Sequence, residues 1–163
     1  MNIVIIDDEP KIRNGIEKLI NDSFHRNHSV YSFGDPVAAL EFLKLQKVDL
    51  VITDIRMPEL SGLELIQAIR QSDKQIEIAI LSGYSDFTFA QQAIDLKVSK
   101  YFTKPSDPDE IIAYIDAFDK GRRETAGLSN NYTGTNLTIL KCLNFIARNY
   151  HTKFNLNEIA EDP

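Results

Sequence analysis

Five times in the first 121 residues, a short β-branched or apolar run gives way to a stretch with apolar residues at helical spacing. This alternation limits the possible folds more than any other feature of the chain. The strand-like runs are Asn2 to Ile6, Ser29 to Phe33, Asp49 to Thr53, Ile76 to Leu81 and Ser99 to Thr103. Between them, Pro10 fits the first position of a helix whose stripe is Ile12, Ile16, Leu19 and Ile20. Asp35-Pro36 caps a second helix with Leu40 and Leu43 inward. Gly62 to Gln71 is a third, with Ile66 and Ile69 inward. Ser85 starts a fourth, with Phe87, Ala90 and Ile94 on one face. Ser106-Asp107-Pro108 opens a fifth, with Ile111, Ile112, Ile115 and Phe118 inward, and Gly121 is expected to stop it.

Strands that alternate with helices form a parallel sheet covered on both faces. Right-handed crossovers leave few topologies. The expected architecture is therefore an α/β, flavodoxin-like, doubly wound five-stranded sheet of order 2-1-3-4-5, with strand 2 at an edge. In such a sheet, ligands sit beyond the carboxyl ends of the strands, near the switch point between strands 1 and 3.

Those ends carry an unusual set of side chains. Strand 1 delivers Asp7 and Asp8, strand 3 Asp54, strand 4 Ser82 and strand 5 Lys104. Taken singly, each has an ordinary explanation. Asp7 and Asp8 suit a helix N-terminus, Asp54 and Ser82 suit turns, and Lys104 suits a solvated surface. Together, the fold brings them to one edge. Two like charges ~4 Å apart repel by roughly 4 kcal/mol at an effective dielectric of about 20, so such a cluster calls for a cation. All-oxygen ligation with open water positions suits Mg²⁺, with Mn²⁺ as the alternative. A metal, a lysine and a hydroxyl around one carboxylate make a site for phosphoryl transfer, with Asp54 as the nucleophile.

The segments "IVIIDDEP" at 3–10, "LVITDIRMPELSGLELI" at 50–66, "AILSGYSDFTFAQQAI" at 79–94 and "KYFTKPSDPDEI" at 100–111 resemble the receiver domain of two-component response regulators. The resemblance implies that Asp54 is the phospho-acceptor and that a sensor histidine kinase is the phosphodonor. It implies Mg²⁺ held by Asp8, Asp54 and the backbone carbonyl of Arg56, with Asp7 helping. Lys104 would contact the phosphoryl group, with a cis peptide at Pro105. Ser82 and Tyr101 would be the switch pair, and Met57-Pro58 would shape the loop beside the metal. A phosphorylation-dependent homodimer through helix 4, strand 5 and helix 5 is a further expectation.

Residues 122–135 lack apolar periodicity and read as a linker after a 1–121 receiver. From Asn136, Ile139, Leu143, Ile146 and Tyr150 form one helical stripe, with the single cysteine, Cys142, as core filler. Asn155 caps a further helix. "SGYSDFTFA" and "ILKCLNFIARNYHTKFNLNEIAED" resemble response regulators with an AraC-type DNA-binding domain. Residues 136–163 then read as the start of that output domain, cut before its recognition helices. This fragment is expected not to bind an operator specifically; DNA binding would need the full-length output domain. One departure is Lys97, which stands where the family usually has a helix-ending Gly.

Charge agrees with this division. Residues 1–121 hold 13 Lys and Arg against 20 Asp and Glu, and residues 122–163 hold 5 against 4. The acidic body by itself repels nucleic acid. One cysteine fits a reducing compartment, the expected location being the cytoplasm, and no apolar run is long enough to span a membrane. A stand-alone or relay receiver without DNA binding is the alternative reading. An enzyme is disfavoured. Strand 1 lacks the Ser/Thr/Gly-rich phosphate loop of a flavin site, and Asp54-Ile55-Arg56 lacks the second carboxylate of an aspartyl-phosphate phosphatase.

Overall fold

A strand buried on both faces has no polar side to show, and Leu50, Val51, Ile52 and Thr53 are all buried. They form the centre of a parallel sheet in a computed structural model that describes residues 1–131 apart from 26 and 84–86. The strands are β1 (Asn2–Ile6), β2 (Ser29–Phe33), β3 (Leu50–Thr53), β4 (Glu77–Ser82) and β5 (Lys100–Thr103). Their order is β2-β1-β3-β4-β5, as expected from the sequence, with the half-exposed β2 at one edge. The helices are α1 (Pro10–Ser23), α2 (Pro36–Leu45), α3 (Gly62–Ser72), α4 (Phe87–Asp95) and α5 (Pro108–Asn131).

Local chemistry sets several helix starts. The Asp35 side chain accepts the Val37 N–H at 2.8 Å, and Pro36 follows at the first helical position. Ser61 and Glu64 form a reciprocal capping box at α3. The Ser61 hydroxyl and backbone N–H hold the exposed Glu64 carboxyl below its ordinary pKa. Asp107 accepts the Asp109 N–H at 2.9 Å at the head of α5.

Packing decided between two stripes on α4. The sequence places Phe87, Ala90 and Ile94 inward, but Ile94 is 74% exposed and Ala93 is buried. Phe89, Ala93 and Leu96 face the core instead. Both sets have helical spacing, so periodicity alone does not separate them.

The end of α4 explains how a lysine replaces glycine. Lys97 has φ 54°, in the left-handed region. Its N–H donates to Ile94 O at 2.9 Å, and the Val98 N–H donates to Ala93 O at 2.9 Å. This is a Schellman closure with Lys97 at the position glycine prefers. Arg70 secures it: Nε donates to Leu96 O at 3.0 Å, Nη2 to Lys97 O at 3.1 Å and Nη1 to Ile76 O at 2.8 Å. A left-handed non-glycine residue costs roughly 1–2 kcal/mol, part of which glycine gives back through unfolded-state entropy. Lys97→Gly is therefore expected to stabilise the fold by about 0.5–1 kcal/mol, read as a higher urea midpoint; an unchanged or lower midpoint would show the turn unstrained.

The expected stop at Gly121 is overturned. α5 continues through it to Asn131, so residues 122–131 of the expected linker are helical. Gly121 does not take positive φ. The next residues include Arg122, Arg123 and Glu124, good helix formers. Arg123 pairs with Asp119 one turn back, and the Thr125 hydroxyl donates to Gly121 O at 2.9 Å. A compact unit covers Met1–Asp116, and a second begins at Ala117. The readings from Asn136 onward, including Cys142 and the Asn155 cap, lie outside the described residues.

Candidate functional site

Strand register brings the site together. Ile6 pairs with Phe33 on β2 and with Thr53 on β3. The ladder runs one residue further on both sides, with the Asp7 N–H donating to Phe33 O at 3.1 Å and the Asp54 N–H to Ile6 O at 2.9 Å. Asp7 and Asp54 therefore leave adjacent strand ends side by side. Ser82 pairs with Thr103, and the Lys104 N–H donates to Ser82 O at 2.8 Å, which places Lys104 at the same edge.

Lys104 Nζ donates to Asp7 Oδ2 at 2.8 Å and to Asp54 Oδ2 at 2.9 Å, and lies 3.8 Å from Glu9 Oε1. Its side chain is 15% exposed, and the two aspartates are buried. Burial by itself lowers the lysine pKa. The hydrogen bonds and charges of Asp7 and Asp54 outweigh that and raise it above the ordinary value. The second oxygen of each aspartate is held by the backbone. Asp7 Oδ1 accepts the Glu9 N–H at 2.9 Å, and Asp54 Oδ1 accepts the Ile55 N–H at 2.6 Å.

Oxygens of Asp7, Glu9 and Asp54 lie within 4.8 Å of one another. Three carboxylates and one ammonium carry a formal charge of −2, which a divalent cation would neutralise. The all-oxygen donor set suits Mg²⁺ or Mn²⁺. Glu9, which is no part of the sequence expectation, belongs to this group, and Asp8 beside it is half-buried.

The remaining sequence-selected residues lie around this centre. Ser82 is fully buried at the end of β4. Tyr101, on β5, is half-buried against the main apolar cluster. The Lys104-Pro105 peptide is cis. Met57 is buried and Pro58 exposed in the loop after Asp54. There the Leu60 N–H donates to Pro58 O at 2.7 Å across Glu59, whose φ is 66°. That is a γ-turn with a left-handed centre, a strained local shape. The Arg56 guanidinium lies over the Phe89 ring, 5.7 Å from its centroid.

Three supporting groups went unnoticed in the sequence. The Thr53 hydroxyl donates to Asp54 O at 2.9 Å. Arg13 Nη1 donates to Asp7 O at 2.6 Å, which steadies the other strand end. In the sequence Gly62 marks only a helix start, yet a Cβ there would lie 1.9 Å from Asp54 O. Its N–H donates to Ile55 O at 2.8 Å, so the head of α3 is pressed against the backbone that carries Asp54.

Comparison with known proteins agrees with this geometry. The family profile described as a response regulator receiver domain matches residues 3–116. An uncharacterized response regulatory protein of Staphylococcus epidermidis is 36% identical over 114 residues, 70% of this chain and 45% of that one. The transcriptional regulatory protein HptR of Staphylococcus aureus is 37% identical over 105 residues, 64% of this chain and 41% of that one. The chain thus matches less than half the length of these two relatives. The crystal structure of the response regulatory domain of protein mrkE from Klebsiella pneumoniae superposes with a TM-score of 0.69 and 28% identity, covering 76% of this chain and 99% of that one.

Proposed function

Because this chain belongs to the response regulator receiver domain family of two-component systems, we propose that Asp54 accepts a phosphoryl group from a partner sensor histidine kinase. The observation that carries this reading is the convergence of Lys104 on Asp7 and Asp54 at the strand edge. An Asp54 carboxylate oxygen attacks the phosphorus of phosphohistidine. The P–N bond breaks as the P–O bond forms, and the electron pair stays on the imidazole nitrogen, which takes a proton. Lys104 turns from the carboxylates toward the incoming phosphoryl oxygens. Asp7, Glu9 and Asp54 would hold a metal ion, and the family pattern adds Asp8 and the Arg56 backbone carbonyl. Bound Mg²⁺ or Mn²⁺ would supply charge neutralisation for the phosphoryl oxygens.

The output is a change in binding rather than turnover of a substrate, so the domain acts as a switch and not as a dedicated enzyme. Ser82 moves its hydroxyl toward the phosphoryl group and Tyr101 follows inward, which reshapes the α4–β5–α5 face. Exposed Ile94 on α4 gives that face an apolar point for a second copy of the chain. A transcriptional relative and the AraC-like sequence of residues 136–163 support a DNA-binding output in the full-length protein. A stand-alone or relay receiver remains the second reading, favoured by the acidic charge of residues 1–121. The cytoplasm is the compartment this reading requires. Among the described residues, no helix is long and apolar enough to cross a membrane.

The test is incubation with a small-molecule phosphodonor such as acetyl phosphate, followed by intact-mass measurement and peptide mapping. One phosphoryl group on the peptide containing Asp54 is expected with Mg²⁺, and none with a chelator. Uptake on another residue, or equal uptake under both conditions, would overturn the assignment.

A further inference from the structure

Arg13 grips the turn between β1 and α1 with both its backbone and its side chain. Its N–H donates to Glu9 O at 3.1 Å, and its Nη1 donates to Asp7 O at 2.6 Å. Asp7 and Glu9 carry two of the grouped carboxylates. Glu9 stands at the N-cap of α1, yet its side chain makes no capping bond there, so the usual device for fixing such a turn is missing. The guanidinium lies close to Gly34, the first residue after β2. A Cβ on Gly34 would lie 2.8 Å from Arg13 Nη1 and 3.3 Å from its Cζ. Those atoms are the tip of a flexible side chain, and Gly34 does not take positive φ. An alanine at this position would therefore displace the guanidinium while its own backbone stays unstrained.

We propose that Arg13 is a positioning residue for the metal-binding carboxylates, and that Gly34 supplies the gap through which it reaches the Asp7 carbonyl. This rests on the metal and phosphorylation reading above. The Asp7 N–H donates to Phe33 O, its C=O accepts from Arg13, its Oδ1 accepts the Glu9 N–H and its Oδ2 accepts from Lys104. The Lys104 bond is the one given up when a cation or a phosphoryl group takes its place. The aim of Asp7 then depends on the bonds that remain, and the one from Arg13 is charge-assisted and so stronger than a neutral amide pair. A carboxylate already held in place binds a cation without first being ordered, which is how outlying hydrogen bonds raise metal affinity. Arg13 touches neither metal nor phosphoryl group in this role; it acts through Asp7 and Glu9.

The experiment compares the full chain with Arg13→Met, Gly34→Ala and the double variant. Calorimetric titration with Mn²⁺ measures metal affinity, and urea midpoints in chelator measure the fold. Arg13→Met and Gly34→Ala should each weaken Mn²⁺ binding about tenfold, the scale on which supporting hydrogen bonds act on metal sites. The double variant should bind no more weakly than Arg13→Met, because the added methyl has no guanidinium left to displace. The urea midpoint of Gly34→Ala should not fall below that of the parent. In the metal-free protein, the nitrogen-15 shift of the Asp8 amide, which shares its peptide group with Asp7 O, should move in the same direction in both single variants. Parent-like Mn²⁺ binding in either single variant, or two losses that multiply to about a hundredfold in the double variant, would overturn the proposal. A parent protein that takes up no Mn²⁺ would overturn the metal reading and this role with it. An unmoved Asp8 amide in Gly34→Ala would overturn the Arg13–Gly34 pairing alone.

Discussion

Gly62→Ala is expected to destabilise the domain by about 3 kcal/mol or more and to abolish phosphoryl uptake, although Gly62 has no side chain to contribute to chemistry. The added methyl would sit 1.9 Å from Asp54 O and 2.9 Å from the Asp54 carbonyl carbon. These are backbone atoms at the end of a fully buried strand, so neither can swing aside as a side-chain tip would. Relief requires α3 to move away from β3. That movement breaks the Gly62 N–H bond to Ile55 O and shifts the peptide that aims Asp54. In a domain of this size the loss corresponds to a fall in Tm on the order of 10 °C. Thermal unfolding, together with uptake from acetyl phosphate at a temperature where the variant is folded, checks both parts. Normal uptake in a folded variant would show that the helix yields without disturbing Asp54.

Lys104→Ala is expected to cost about 2–4 kcal/mol in chelator-containing buffer and to regain much of it when Mg²⁺ is added. Removing the ammonium leaves two buried aspartates facing each other with Glu9 nearby, an uncompensated charge cluster. The backbone N–H groups of Glu9 and Ile55 still serve one oxygen of each aspartate, so the cost stays below that of a fully stripped pair. A divalent cation that binds only the folded form then stabilises by mass action. Urea titrations with and without Mg²⁺ measure the difference. A variant as stable as the parent in chelator would mean that the carboxylates relax into solvent.

The same lysine sets a pH dependence. Its folded pKa lies above the unfolded reference of 10.5. Its contribution is therefore complete below about pH 10 and is lost as pH rises through the folded value. The Tyr114 hydroxyl acts in the same direction. It is half-buried near Glu77, to which it donates at 2.9 Å, and its partial burial pushes its pKa up. Stability should hold from neutrality to about pH 10 on account of these two groups and fall beyond it. Lys104→Met and Tyr114→Phe should each remove part of that alkaline fall, with urea midpoints against pH as the readout. A fall of unchanged steepness in both variants would assign it to other groups.

Much of this was legible beforehand, for identifiable reasons. Two-sided burial turns β1 and β3 into unbroken apolar runs, and turn chemistry at Asp35-Pro36 and Asp107-Pro108 marks the helix starts. The sheet order and the gathering of Asp7, Asp54, Ser82 and Lys104 at one edge followed from those marks. What escaped depends on contacts between elements. Whether Ala90 or Ala93 faces inward on α4 is settled by the sheet it packs on, not by its own spacing. The place of Glu9 depends on how the chain leaves β1. Gly121 has the composition of a stop, but a glycine ends a helix only when the backbone turns left-handed there. The closeness of Gly62 to Asp54 needs two segments in contact before it can be seen.

The ladder that pairs Ile6 with Thr53 also predicts how this protein tolerates changes in length. Alternate residues of a strand face opposite sides, so frame matters as much as identity. A residue added in the connection after α2, around Gln46 and Lys47, can be absorbed before the first paired residue, Leu50. A residue deleted between Leu50 and Thr53 cannot. It would turn Asp54 to the other face of the sheet, away from Asp7 and Lys104, with every chemical group still present in the chain. A library of single-residue insertions and deletions should therefore outline the strands as sharply as point substitutions outline the site.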